Sequence, residues 1–223
     1  MPAPERLLRV VAAIAIVGGP LGFLVGGALA PAVHGSSRST IAANVAASPV
    51  TNAAHLAGFV VASYLLPIGA IALASLAYRR TPWLATIGGL LAVVGWLPFS
   101  ALAALDDLAS AMAELPGSGS YATLLDRFTT DAVMNSYLIV YIVCHLVAYV
   151  LLGIALRRAG AIPGWAAWAV IASSPLTIAA FVLPGQVGAA GVALGVTALS
   201  LLLIGSLPAA RTVLTRRTVA RTC

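Results

Sequence analysis

Four residues in one apolar stretch have the types and the spacing for chemistry. Tyr137, Tyr141, His145 and Tyr149 recur every fourth position. In a helix of 3.6 residues per turn they share one slowly drifting face. Phenol and imidazole groups cost free energy in an apolar medium unless they find partners. The face is therefore predicted to turn into a helix bundle or to border an opening. That opening should lie toward the end where Asn135 and Ser136 make the stretch more hydrophilic. An ionisable residue at membrane depth is a functional candidate by default. The competing account is a histidine that simply hydrogen-bonds a neighbouring hydroxyl or carbonyl. Such a stripe suits the binding of an apolar or amphiphilic molecule by a few convergent polar groups. Tyr64 and His55, on an earlier stretch, join it as ligand-binding candidates.

A second set of candidates is acidic. Asp106, Asp107, Glu114, Asp126 and Asp131 lie in one hydrophilic segment, and with His34 and His55 they could converge on a metal or a polar substrate. The alternative is a solvated acidic face that serves topology. Asp106-Asp107-Leu108-Ala109-Ser110 departs from the D-D-x-x-D pattern that holds magnesium against a diphosphate, because Ser110 stands in the last position. No metal is predicted. A haem held by His55 and His145 fits badly, since their depths along two parallel helices differ by roughly 15 Å. No cofactor is implied. Nucleophile elbows, Walker loops, H-E-x-x-H and dinucleotide fingerprints are missing from the sequence.

These residues must be carried by membrane helices. Of 223 residues, 61% are hydrophobic and 8% charged, against roughly 25% charged in soluble domains. So few charges cannot cover a water-exposed surface. Six runs are long enough to span about 30 Å of hydrocarbon: 10–30, 54–78, 82–105, 132–156, 161–184 and 188–210, none containing Asp, Glu, Lys or Arg. They do not alternate in polarity as barrel strands do. The expected fold is all-α, a single polytopic bundle of six transmembrane helices.

Orientation follows from arginine, which supplies all twelve basic residues. With six spans, Arg6, Arg9, Arg79, Arg80, Arg157, Arg158, Arg211, Arg216, Arg217 and Arg221 fall on one side, while the opposite loops hold Arg38 and Arg127. The positive-inside rule then places both termini in the cytoplasm. The net charge of +6 is thus a topology signal and implies no nucleic acid. Trp83, Trp165 and Trp168 fall near the inner ends of their helices, as an aromatic belt would. Arginine without lysine, with abundant Ala, Gly, Val and Pro, points to a bacterial cytoplasmic membrane. The first run imitates a signal peptide ending Ala28-Leu29-Ala30, but it is too long, and Pro31 follows the cut. It is expected to remain as a helix.

Residues 31–53 and 106–131 are expected as outer loops, with Gly185-Gln186 a tight turn. Within the second, Leu105, Leu108, Met112 and Leu115 extend the third helix until Pro116-Gly117 breaks it, and Leu124, Leu125 and Phe128 form a short interfacial helix. Gly18, Gly22 and Gly26, like Gly191 and Gly195, recur four apart and let backbones approach closely. They serve packing within the bundle or the face of a homo-oligomer. Pro20, Pro67, Pro98 and Pro175 would kink their helices, a feature that can open a cavity. Cys144 and Cys223 match no disulfide or metal spacing. His55-Leu56-Ala57-Gly58-Phe59-Val60 echoes His145-Leu146-Val147-Ala148-Tyr149-Val150, but the registers disagree, and chance explains the echo better than duplication.

Gly153-Ile154-Ala155-Leu156-Arg157-Arg158, followed by Ala161-Ile162-Pro163-Gly164-Trp165, resembles a segment of a family of small bacterial six-helix membrane proteins catalogued as a domain of unknown function. The resemblance implies the six-helix layout and no activity or site residue. The sequence leaves three readings open: a bundle that binds an apolar small molecule or a membrane partner, a membrane enzyme with an outward-facing polar site, and a facilitator-type transporter. The first is preferred because catalytic motifs are lacking.

Overall fold

The computed structural model describes residues 3–31, 37–182 and 189–215. These contain nine α-helices and no strand: α1 (Ala3–Leu29), α2 (Ser37–Ala46), α3 (Pro49–Ala77), α4 (Pro82–Trp96), α5 (Phe99–Glu114), α6 (Ala122–Thr129), α7 (Ala132–Ala159), α8 (Gly164–Val182) and α9 (Ala189–Thr215). A 3-10 turn, Ser118–Tyr121, precedes α6. Five stretches are long and apolar enough to cross a membrane: Ala3–Leu29, Pro49–Ala77, Pro82–Glu114, Ala132–Ala159 and Gly191–Thr215. Their outward faces are apolar too, with Ile14, Val61, Ile71, Leu90 and Ile139 exposed. By length and composition this is a helical integral membrane protein.

Local chemistry sets the helix ends. Ser48 caps α3 by accepting from the Thr51 backbone N–H, with Pro49 at the first helical position. The Asp131 carboxylate accepts from the Val133 N–H at 2.9 Å and starts α7. Gly160 ends α7 at φ 61°, where its N–H reaches back to Arg157 and Leu156. Pro98 cannot donate, and there the run 82–105 divides into α4 and α5.

The six apolar helices close a ring in the order α3, α1, α9, α8, α7, α4, and α3 also touches α7 across it. Small residues bring the backbones together. A Cβ on Gly22 would lie 2.8 Å from the Gly58 carbonyl oxygen of α3, and one on Gly95 would lie 2.5 Å from the His145 backbone nitrogen of α7. Glycine is required at both approaches. Gly18, Gly22 and Gly26 thus meet residues of α3 within the same chain, so this ladder is occupied by the bundle's own packing. Gly191 is buried, whereas a side chain on Gly195 would meet open space. The close contact on α9 is at Gly205 instead, where a Cβ would lie 2.7 Å from the Ala166 carbonyl oxygen.

The first expected outer loop is mostly helix, and the second carries the helix extension and the short helix expected of it. Residues 31–53 include α2 and the first turn of α3; residues 106–131 include the end of α5 and all of α6. Their Ala-rich composition favours helix, and Ile41, Ala109, Met112, Ala122 and Leu125 form a satellite core that holds α2, α5 and α6 together. The helices also outrun several expected limits: α1 begins at Ala3, α7 reaches Ala159 and α9 reaches Thr215. The Gly185-Gln186 turn, His34, Cys223 and the last three arginines lie outside the described residues.

Candidate functional site

The stripe on α7 splits between two environments. Tyr141, His145 and Tyr149 are buried, at 9%, 4% and 3% exposure, while Tyr137 is 43% exposed. The buried three join a continuous cluster of rings drawn from four helices: Phe23 on α1, Phe59 on α3, Trp96 on α4 and Phe99 on α5. Trp96 lies at its centre, 5.1 Å from Phe23, 5.3 Å from Phe99 and 4.9 Å from His145 between ring centroids. Most of these pairs are edge-on, the arrangement that aromatic quadrupoles favour.

Three polar atoms of this cluster find partners locally. The Trp96 indole N–H donates to the Tyr149 hydroxyl at 3.2 Å, and His145 Nδ1–H donates to the Tyr141 carbonyl one turn earlier on its own helix. Beside them is a cavity of about 10 Å³ lined by His145, Tyr149, Ser173, Ser174 and Thr177, close to the room one water needs. The Ser174 hydroxyl is buried there without a protein partner. Beside the buried part of the stripe the free space is no larger than this.

His55 sits at the end of the bundle that carries α2 and α6. Its Nδ1–H donates to the Gly26 carbonyl of α1 at 2.6 Å, which turns Nε2 toward the Asp106 carboxylate of α5, 3.7 Å away. One turn further out, the Asn52 amide donates to the Ser110 hydroxyl. The two pairs clasp α3 to α5. Phe59, Phe99 and Tyr141 fill the space between the two histidines in a chain of ring contacts, 4.6, 5.1, 5.4 and 4.3 Å from His55 to His145. They leave no slot for a macrocycle.

The other carboxylates do not gather. Asp107, Glu114 and Asp126 are exposed, and Asp131 is committed to capping α7. Among the described residues no three of His, Cys, Asp and Glu come together. Tyr64, 70% exposed, faces away from the cluster.

Tyr137 instead lines a cleft of about 440 Å³ between α5, α6 and α7, with Ala101, Ala104, Leu105, Leu108, Phe128 and Met134. Its walls are apolar, with the Tyr137 side chain and Asp131 the polar exceptions. Several of these residues escaped the sequence reading. Trp96 and Phe99 were hidden by a run read only for its length, although the small residues Ala85, Gly88, Ala92 and Gly95 at helical spacing mark a face in close contact. No protein-family model, curated protein or solved structure matches the chain.

Proposed function

We propose that this chain is a binding protein of the bacterial cytoplasmic membrane that holds an apolar or amphiphilic small molecule in the cleft between α5, α6 and α7. The cleft carries the reading. At about 440 Å³ it falls in the range of small-molecule sites, which are apolar with a few polar groups. Ala101 and Ala104 leave its floor open, and the Tyr137 hydroxyl offers one hydrogen bond to a polar head. The aromatic core, packed solid, serves as the rigid wall behind it.

The reading includes six crossings with both termini in the cytoplasm. α4 and α5 count as one kinked span, and the 19 residues of α8 reach about 28 Å. Arg79, Arg80, Arg157, Arg158 and Arg211 then share the inner side. The resemblance around Gly153–Trp165 supports membership in the uncharacterised six-helix family as part of the same proposal. Two glycines with open space test the orientation, since cysteine there disturbs nothing: Gly119 and Gly164. Gly119→Cys should react with an impermeant maleimide on intact bacteria, and Gly164→Cys only after lysis. The reverse pattern would sink the orientation.

Occupancy is tested with a photoactivatable fatty acid added to the purified protein in detergent. Crosslinks should concentrate on 101–108 and 128–137 and fall when Ala104→Phe fills the floor. Crosslinks spread evenly over all lipid-facing helices would refute the site. A second reading, a membrane enzyme with a polar site at the α2/α6 end, draws on the His55–Asp106 approach alone.

A further inference from the structure

We propose a second binding site at the opposite end of the bundle, a groove between α3 and α4 that takes one anionic phospholipid and reads its phosphate through Arg79. The groove measures about 570 Å³ and is lined by Ile71, Ala74, Gly89 and Leu90 along its length, with Tyr78, Arg79 and Thr86 at one end. Its depth comes from small residues: a Cβ on Gly89 would already lie 2.9 Å from that of Ala74. The apolar length suits an acyl chain, and the end presents a guanidinium beside two hydroxyl side chains.

Arg79 is the arginine that lines the groove, and two of its neighbours are engaged elsewhere. Arg80 donates to the Ala159 carbonyl at 3.0 Å and closes the end of α7. Arg157 stacks over the Trp168 ring, 4.7 Å from its centroid. Arg79 is exposed, and among the described residues it has no carboxylate partner. A guanidinium left unpaired at the membrane boundary suits phosphate oxygens, which it binds as a two-pronged donor. Basic pockets between membrane helices on the cytoplasmic side bind anionic headgroups by this chemistry. The orientation proposed above supplies the leaflet, but the recognition depends only on the groove and Arg79. The site shares no residue with the α5/α6/α7 cleft.

Native mass spectrometry of the full chain in detergent tests the proposal, with phosphatidylglycerol and phosphatidylcholine of identical acyl chains as probes. The wild type should retain one phosphatidylglycerol, preferred about fivefold, the effect of one arginine near a charged surface. Arg79→Gln should bring the ratio to about one. Arg158→Gln, in the other short loop at the same end, should leave it unchanged. Thr86→Phe, on the exposed lip, should lower retention of both lipids while the protein still melts as the parent does. Equal retention of the two lipids by the wild type would overturn the proposal. So would an equal loss of preference in Arg158→Gln, which marks general surface charge, or competition by inorganic phosphate at the lipid's concentration, which marks a free-anion site.

Discussion

Tyr141 and Tyr137 sit one turn apart on α7, yet they belong to different kinds of structure. Tyr141 stacks on His145 and Phe99, with ring centroids 4.3 and 5.4 Å away, in a core where five helices meet. Tyr137 lines a cleft with room for a ligand. The difference comes from what lies opposite. Trp96 and Phe99 fill the space facing Tyr141, whereas Ala101 and Ala104, the next turn of the same kinked segment, leave the space facing Tyr137 open. A stripe of polar residues on a helix therefore does not define one site. Its partners on the neighbouring helix decide, turn by turn, which part is scaffold and which part is available.

The largest effect should come from removing the centre of the scaffold. Trp96→Ala deletes a ring that is 1% exposed and leaves the Tyr149 hydroxyl without its donor. Losses of about 3–5 kcal/mol are typical for such a truncation, and thermal melting in detergent should fall accordingly. A melting temperature close to the parent's would show that the rings are not a rigid wall. Next come the glycines. Gly22→Leu forces a side chain against the Gly58 carbonyl and should cost about 1–3 kcal/mol or more. Gly195→Leu, with nothing near it, should melt like the parent. Equal melting of the two variants would refute the packing account of the first helix.

Helix identity was legible in the sequence because it rests on composition and run length, which lipid enforces strongly. Burial of Tyr141, His145 and Tyr149 was legible for the same reason, since their polar groups need shelter. What faced them was not. Trp96 sits in an apolar run where hydrophobic periodicity is uninformative and only the spacing of small residues marks the packed face. Its pairing with Tyr149 spans 53 positions. The His55–Asp106 approach depends on α5 continuing past the apolar run and on α2 and α6 bracing it. The extension and α6 were legible as helical spacing, but α2 lay in a segment read as loop, and neither showed that His55 and Asp106 would meet. Low hydrophobicity concealed α2, whose helix is held by Ile41 against the satellite core.

A smaller effect separates hydrogen bonding from packing within the scaffold. Tyr149→Phe keeps the ring and removes the acceptor of the Trp96 N–H. A buried donor left unpaired costs about 1–3 kcal/mol, so this variant should fall between Trp96→Ala and the parent. No loss of stability would mean that the contact is packing alone.

The smallest effect on stability should accompany the largest effect on binding. Ala104 is exposed on the cleft floor, and Phe there enters open space without displacing a packed atom. Its melting should stay within about 0.5 kcal/mol of the parent, as is usual for surface changes, while photocrosslinking of the fatty acid at the cleft should drop severalfold. Tyr137→Phe sharpens this further. It keeps the shape and removes the one hydroxyl, so a ligand that uses this group as its polar anchor should bind about fivefold more weakly, the equivalent of one ordinary hydrogen bond. Unchanged binding in Tyr137→Phe together with loss in Ala104→Phe would mean that the cleft selects by shape alone. If both variants bind as the parent does, the distinction between the two turns of α7 concerns packing only, and the cleft is surface relief without a ligand.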